Sequence, residues 1–333
     1  MIPAGRIRWL LTCVPLLLLA FLSLSCGIGG TDFAGGGTGG TGISTGAISG
    51  FGSVVVNGVH FRTDNNVAPG FRTEKKVNGV DKSLGMDNVV FAEGMVVTVR
   101  HGAGDNDAQE IEYRDNLRGP IAVIASGADN IIGVLGQTVV VENAAIFPSL
   151  KQNDIVEVSG FVDNAGRIRA AYILPMAPPM PPPVQEFEVK GFVSVSSSIG
   201  FLLGPLPDGS GTTVMISYPP GGPANGTYVQ VITTDWEPVG GSITAIRIEI
   251  LTARTEFPNG TAVDLAGLVT TPWTGSGNDL SFAVEGKRVQ WNDTTEFEGG
   301  GGTQEDTRQA NRRVQVQGIE NGGVLFATRI IFL

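Results

Sequence analysis

The chain has 333 residues, a formal charge of −10, 48 glycines, 19 prolines, two cysteines and two histidines. An acidic chain repels a phosphate backbone, which argues against nucleic acid as a partner, and two cysteines leave no disulfide framework or thiolate metal centre. The glycine and proline content suits many turns and short strands.

Arg6 and Arg8 precede an apolar run from Trp9 to Leu24. That order is read as a secretory signal over residues 1–25. A membrane span needs ~20 apolar residues, and Pro15 interrupts this shorter run. Leu22-Ser23-Leu24-Ser25-Cys26-Gly27 resembles the lipobox of bacterial lipoproteins, although Ser23 stands where that motif carries leucine. The resemblance implies cleavage before Cys26, a diacylglycerol on its thiol and a membrane partner reached through that anchor. It implies an envelope location, at the outer membrane in a two-membrane cell; simple secretion is the alternative. Cys13 leaves with the signal, and the remaining 20 cations and 32 acids carry −12. Residues 26–46 are rich in Gly and Thr and read as a flexible tether. About 20 such residues average roughly 25 Å end to end.

Three marks then recur four times in fixed order. An apolar residue, any residue and Gly open each copy: Ile48-Ser49-Gly50, Leu117-Arg118-Gly119, Val189-Lys190-Gly191 and Leu265-Ala266-Gly267. A strand with two valines follows: Val97/Val99, Val156/Val158, Val229/Val231 and Val314/Val316. Ala-x-x-Ile closes each copy: Ala108/Ile111, Ala170/Ile173, Ala245/Ile248 and Ala327/Ile330. Such recurrence means one small unit copied four times. The units are placed at residues 47–116, 117–176, 186–254 and 262–333. A stiff proline-rich linker at 177–185 is expected to divide them into two pairs of neighbours.

Each unit reads as β. Val54–Phe61 carries the hairpin signal Asn57-Gly58, which supplies the two positive φ angles of a type I′ turn. Valines alternating with polar residues put one face on a core. Five or six short strands in ~70 residues are expected to close into a small barrel. The fold class is therefore all-β: four tandem small OB-like β-barrel modules after a signal peptide and a Gly-rich tether. The recurring glycine is expected at a barrel corner, and the closing alanine in a tight interior.

Gly50-Phe51-Gly52-Ser53-Val54-Val55-Val56-Asn57-Gly58-Val59-His60-Phe61 resembles the opening of the bacterial module called domain of unknown function 5666. Leu135–Val141 and Val158-Ser159-Gly160-Phe161 are similar to its later motifs. The resemblance covers residues 26–175; the third and fourth modules keep the skeleton without the GFGSVVVNG wording. It implies tandem OB-like barrels behind a lipoprotein signal, and no assigned activity.

No catalytic constellation stands out. His60 and His101 are isolated, and the chain has no Gly-x-Ser-x-Gly elbow or phosphate-binding loop. Asp105, Asp107 and Glu110 supply hard oxygens suited to calcium, without full EF-hand spacing. No cofactor is implied. Trp236, Trp273 and Trp291 occur only in the third and fourth modules. Trp273, on a Gly-rich turn, and Trp236 are the candidate contacts for a glycan or an envelope protein; Trp291 reads as core. The expectation is a non-enzymatic envelope lipoprotein acting as a binding, adaptor or structural protein. The alternative is an envelope carbohydrate-active hydrolase using paired carboxylates.

Overall fold

The structure is a computed structural model, and it describes residues 42–64, 70–102, 105–176, 185–219, 221–236, 241–274 and 280–333. The signal segment, Cys26, most of the tether and residues 177–184 of the proline-rich linker lie outside the described residues. Among the described residues the regular secondary structure is almost all strand, as the alternating valines require.

Small barrels form by closed circuits of strand pairing. In the second, Leu117–Ala125 pairs with Ile131–Val134 and with Ile155–Val162. Gln137–Val141 pairs antiparallel with Ile131–Val134 and parallel with Ile168–Met176, and that last strand closes on Ile155–Val162. Numbering strands within the barrel, the circuit runs 1-2-3-5-4-1, an OB-like order. The fourth repeats it with Ala262–Thr271, Ser281–Val284, Lys287–Gln290, Arg313–Asn321 and Val324–Phe332.

The other two circuits close with irregularities. In the third, Phe187–Ser197, Gly200–Gly204, Val214–Ser217 and Tyr228–Thr233 are followed by a fifth strand in two parts. Ser242–Thr244 pairs with the third strand and Arg247–Ile250 with the fourth. The first uses Gly42–Gly50, Val54–Val56, Val59–Phe61, Val96–His101 and Ala108–Tyr113, and closes through a single bridge between Arg62 and Asp107. It also carries an insertion, Glu74–Val77, Val80–Asp81 and a helical turn at Asp87–Val90.

The eight marker valines are all fully buried. The closing marks have a stricter logic. Two residues three apart face opposite sides of a regular strand, yet Ala327 and Ile330 are both buried, as are Ala108 and Ile111. A β-bulge supplies the extra residue. Pairing skips Thr328 between Ala327 and Arg329, Ala171 between Ala170 and Tyr172, and Gln109 between Ala108 and Glu110. The opposing glycines follow from the same bend, because a Cβ at Gly160 or Gly318 would meet the carbonyl of Arg169 or Phe326.

Two sequence expectations need correction. The opening mark of the first barrel is Gly46, not Gly50. Gly119, Gly191 and Gly267 sit opposite Val156, Val229 and Val314, and Gly46 sits opposite Val97 in the same register. Nor is this glycine a corner. The residue that opens the strand 2–3 hairpin lies over it: Asn57 over Gly46, Leu135 over Gly119 and Glu285 over Gly267. A Cβ at Gly119 would stand 2.7 Å from Leu135 Cγ, and one at Gly267 would stand 2.5 Å from Glu285 Cγ. All three turns are type I′ pairs, with φ of 56° and 76° at Asn57-Gly58, 48° and 73° at Leu135-Gly136, and 51° and 75° at Glu285-Gly286.

The barrels do not assemble in the pairs expected from the sequence, first with second and third with fourth. Gly42–Thr45, read from sequence as the end of the tether, pair in parallel with Ala262–Leu265 and join the first barrel to the fourth. Arg118 and Leu117 pair with Glu188 and Val189 and join the second barrel to the third across the proline-rich segment. One hydrophobic core runs through the second and third barrels. Val96, Phe161 and Leu268 form a cluster where the first, second and fourth meet. The described residues therefore form one body, not a string of separate barrels.

Candidate functional site

The hairpin turns that fill the glycine slots also bind across barrel seams. Asn57 Nδ2 donates to Asp264 Oδ1 at 3.1 Å, and Gln315 Nε2 donates to both oxygens of that carboxylate at 2.9 Å. Burial pushes the Asp264 carboxyl up to about 6 against these donors. The Glu285 carboxylate accepts from Val162 N at 2.9 and 3.1 Å and from Leu268 N at 3.1 Å, bridging the second and fourth barrels. Burial pushes it up to about 7, while those amides and Arg254 pull the other way.

A second buried cluster lies between the first three barrels. Lys190 forms an ion pair with Asp115 and stands 3.6 Å from Glu188. Asn78 and Asp115 exchange two hydrogen bonds of 3.0 Å. Tyr113 donates to Glu157 at 2.8 Å and Gln230 to Glu188 at 2.6 Å. Burial, reinforced by the Asp115 charge, raises the carboxyls of Glu157 and Glu188. Burial alone would lower the Lys190 ammonium, but Asp115 and Glu188 outweigh it and hold it raised. Displaced pKa values often mark reactive centres. Here each carboxyl is engaged by partners that stitch barrels together.

An opening suited to a ligand lies on the strand 2–3 face of the fourth barrel, the face that OB-like barrels use for binding. It is a cleft of about 400 Å³, floored by Phe282 and Ala283, flanked by Trp273 and Arg288, and walled by Leu206 and Pro207 of the third barrel. The wall is fixed by close packing, since a Cβ at Gly286 would meet Pro207. The size falls within the usual range for small-molecule pockets. Thr270, Thr271, Thr274 and Ser281 add hydroxyls, and Asp208 and Arg288 add charges, to the apolar and aromatic side chains of the lining.

Trp273 is thus at the cleft but is not an exposed platform. It is only 8% exposed, lies edge-on to Trp291 at 5.3 Å, and has the Arg308 guanidinium 4.6 Å from its ring centre. Trp291 is core, at 3%. Trp236 is 43% exposed and packs edge-on against Phe187, but it does not line the cleft.

The candidate calcium ligands are engaged elsewhere. Asp107 pairs with Arg62 at 2.6 Å, Glu110 with Lys76 at 3.3 Å and Arg100 at 3.5 Å, and Asp105 accepts from Asp107 N at 3.1 Å. Among the described residues no group of three or more His, Cys, Asp or Glu side chains is placed to hold a metal ion. His60 meets Ser53 Oγ at 3.0 Å, and His101 leans on Phe61.

Sequence reasoning missed Glu285, Asp264 and the Asp115–Lys190 pair. The signal for Glu285 was present, since Glu285-Gly286 occupies the hairpin slot of Asn57-Gly58.

Residues 118–173 and 267–331 each match the model of the Domain of unknown function (DUF5666). Those segments are the second and fourth barrels, whose five strands pair completely around the circuit; the first, where the sequence resemblance began, carries the insertion at 74–90. No curated protein matches the chain.

Proposed function

Since the chain carries two DUF5666 copies, we propose that it is a non-enzymatic binding or adaptor protein of the bacterial envelope. In this reading it is anchored through acylated Cys26 and presents the cleft of the fourth barrel to a small polar ligand or glycan. The observation that carries the reading is the cleft itself: about 400 Å³ on an OB-type binding face, with aromatic and hydroxyl lining and a fixed wall from a second barrel. Further support comes from the hairpin turns of the first, second and fourth barrels. They are occupied by packing inside the chain and are not free to serve as contact surfaces. A purely architectural body is the second reading, favoured by the same internal use of the turns.

The test is a titration of the full chain with a panel of envelope glycans, followed by the fluorescence of Trp273 and Trp291. Binding that saturates, and that Ala283→Arg abolishes by filling the cleft floor, supports the reading. No response to any glycan, or a response unchanged in Ala283→Arg, contradicts it and favours the architectural role. Radiolabelled palmitate entering the wild type and not Cys26→Ala supports the anchor; label in both refutes it.

A further inference from the structure

Four large apolar side chains crowd the surface within ten residues of the first-barrel insertion. Leu84 is 88% exposed, Val89 72%, Met86 62% and Val80 54%. The helical turn Asp87–Val90 buries none of its residues. Exposed apolar residues scattered singly need no explanation, but a contiguous group marks an interaction surface.

This loop is held, not loose. Lys75 beneath it is fully buried, a rare position for a lysine. Its ammonium pairs with Asp87 at 2.8 Å and Asp64 at 3.0 Å, and donates to Gly85 O at 2.8 Å. Thr63 Oγ1 donates to Asp87 at 2.6 Å, and Lys75 N donates to Ser83 Oγ at 3.0 Å. A buried charged pedestal thus fixes a turn whose apolar side chains point to solvent. The matching inserted strand of the fourth barrel, Glu296–Gly299, does the opposite and packs Phe297 against its own core.

We propose that residues 80–89 form a membrane-contact lobe that seats the first barrel on the interface of the bilayer holding the lipid anchor. The inference rests on the anchored reading given above. Three observations select a bilayer as the occupant. The lobe belongs to the barrel that follows the tether directly. Residues 26–41, sixteen in all, lead from Cys26 to Gly42. From Gly42 the lobe lies across the strands Val96–His101, Ala108–Tyr113 and Glu74–Val77 to Val80–Asp81, four spacings or roughly 19 Å, so it lies near the point where the segment bearing the anchor joins the barrel. Charge fits as well. Residues 70–93 hold four cations and four acids in a mature chain carrying −12. Exposed Lys82 stands within the apolar group beside exposed Asp81, and this segment carries no net charge to repel anionic headgroups, unlike the acidic chain as a whole. A second, shallow attachment beside an acyl anchor raises the effective concentration of the lobe at the surface. It fixes the orientation of the first barrel on the surface.

The test is hydrogen exchange on the full chain, purified from cells and placed in vesicles of phosphatidylethanolamine and phosphatidylglycerol. Exchange is compared with that of the same chain released from the vesicles by cleavage in the tether. Amides of residues 82–90 are expected to exchange at least about threefold more slowly on vesicles. Amides near exposed Val195 and Ile199 of the third barrel should not change. The triple variant Leu84→Ser, Met86→Ser, Val89→Ser, which alters only exposed side chains, should lose the protection while staying anchored. Equal exchange with and without vesicles overturns the proposal. So does protection in the released chain that grows with protein concentration, which would make a second copy the occupant. Palmitate labelling of Cys26 separates the two ideas. An unlabelled chain whose lobe is still protected by added vesicles refutes the anchor and keeps the lobe; a labelled chain with an unprotected lobe does the reverse.

Discussion

Glu285→Gln should remove a pH dependence of stability while leaving stability near pH 5 little changed. The wild-type carboxyl titrates at about 7 in the folded chain and at the ordinary 4.5 when unfolded. Between these values the folded state holds a proton that the unfolded state has released. The stabilising contribution is therefore complete below about 4.5 and lost as pH rises through about 7. The slope for one proton is about 1.4 kcal/mol per pH unit, so the full span amounts to roughly 3 kcal/mol. Glutamine stays neutral throughout, and its single oxygen can still accept from Val162 N and Leu268 N in the place of Oε1. The variant should match the wild type near pH 5 and be the more stable of the two near pH 8. Urea unfolding followed by tryptophan fluorescence, repeated from pH 5 to 8, gives both slopes. Parallel curves for the two proteins would refute the assignment of that proton to Glu285.

Other consequences are equally direct. Gly119→Ala places a methyl against the buried Leu135 side chain and should cost about 1–3 kcal/mol by overpacking; Leu135→Ala in the same chain should recover part of that loss in a double-mutant cycle. Asp115→Asn removes the nearer counter-charge of buried Lys190 and leaves it Glu188 at 3.6 Å, with an expected loss of up to about 3–5 kcal/mol in chemical unfolding. Pairing it with Lys190→Met should be milder than Asp115→Asn alone.

What could be read from the sequence was local. The valine pairs report strand four because both valines point into one small core. Ala-x-x-Ile reports strand five, and its odd spacing already implied the bulge. The opening mark failed in the first barrel for a physical reason. Its glycine, Gly46, follows Ser44 where the other copies have Leu117, Val189 and Leu265. Ser44 lies in a strand shared between two barrels, facing Asp264 on one side and Val99 on the other. Ile48-Ser49-Gly50 then imitates the mark four residues later. The seams were illegible because they join residues such as Ile43 and Val263, far apart in the chain and with no local signature. Trp273 misled because a Gly-rich turn argues for exposure, whereas the distant 3-10 turn Gln304–Arg308 folds back and lays Arg308 against the indole. Glu285 was readable as a turn residue but not as a bridge, since its partner Val162 belongs to another barrel.

The most direct test of the account is the radius of gyration of a soluble form beginning at Gly42, measured by small-angle X-ray scattering. A single packed body of its 292 residues predicts about 19 Å. Four barrels in a row, each with the size expected for ~70 residues, would give roughly 30 Å or more and would contradict the seams between the first and fourth barrels and between the second and third.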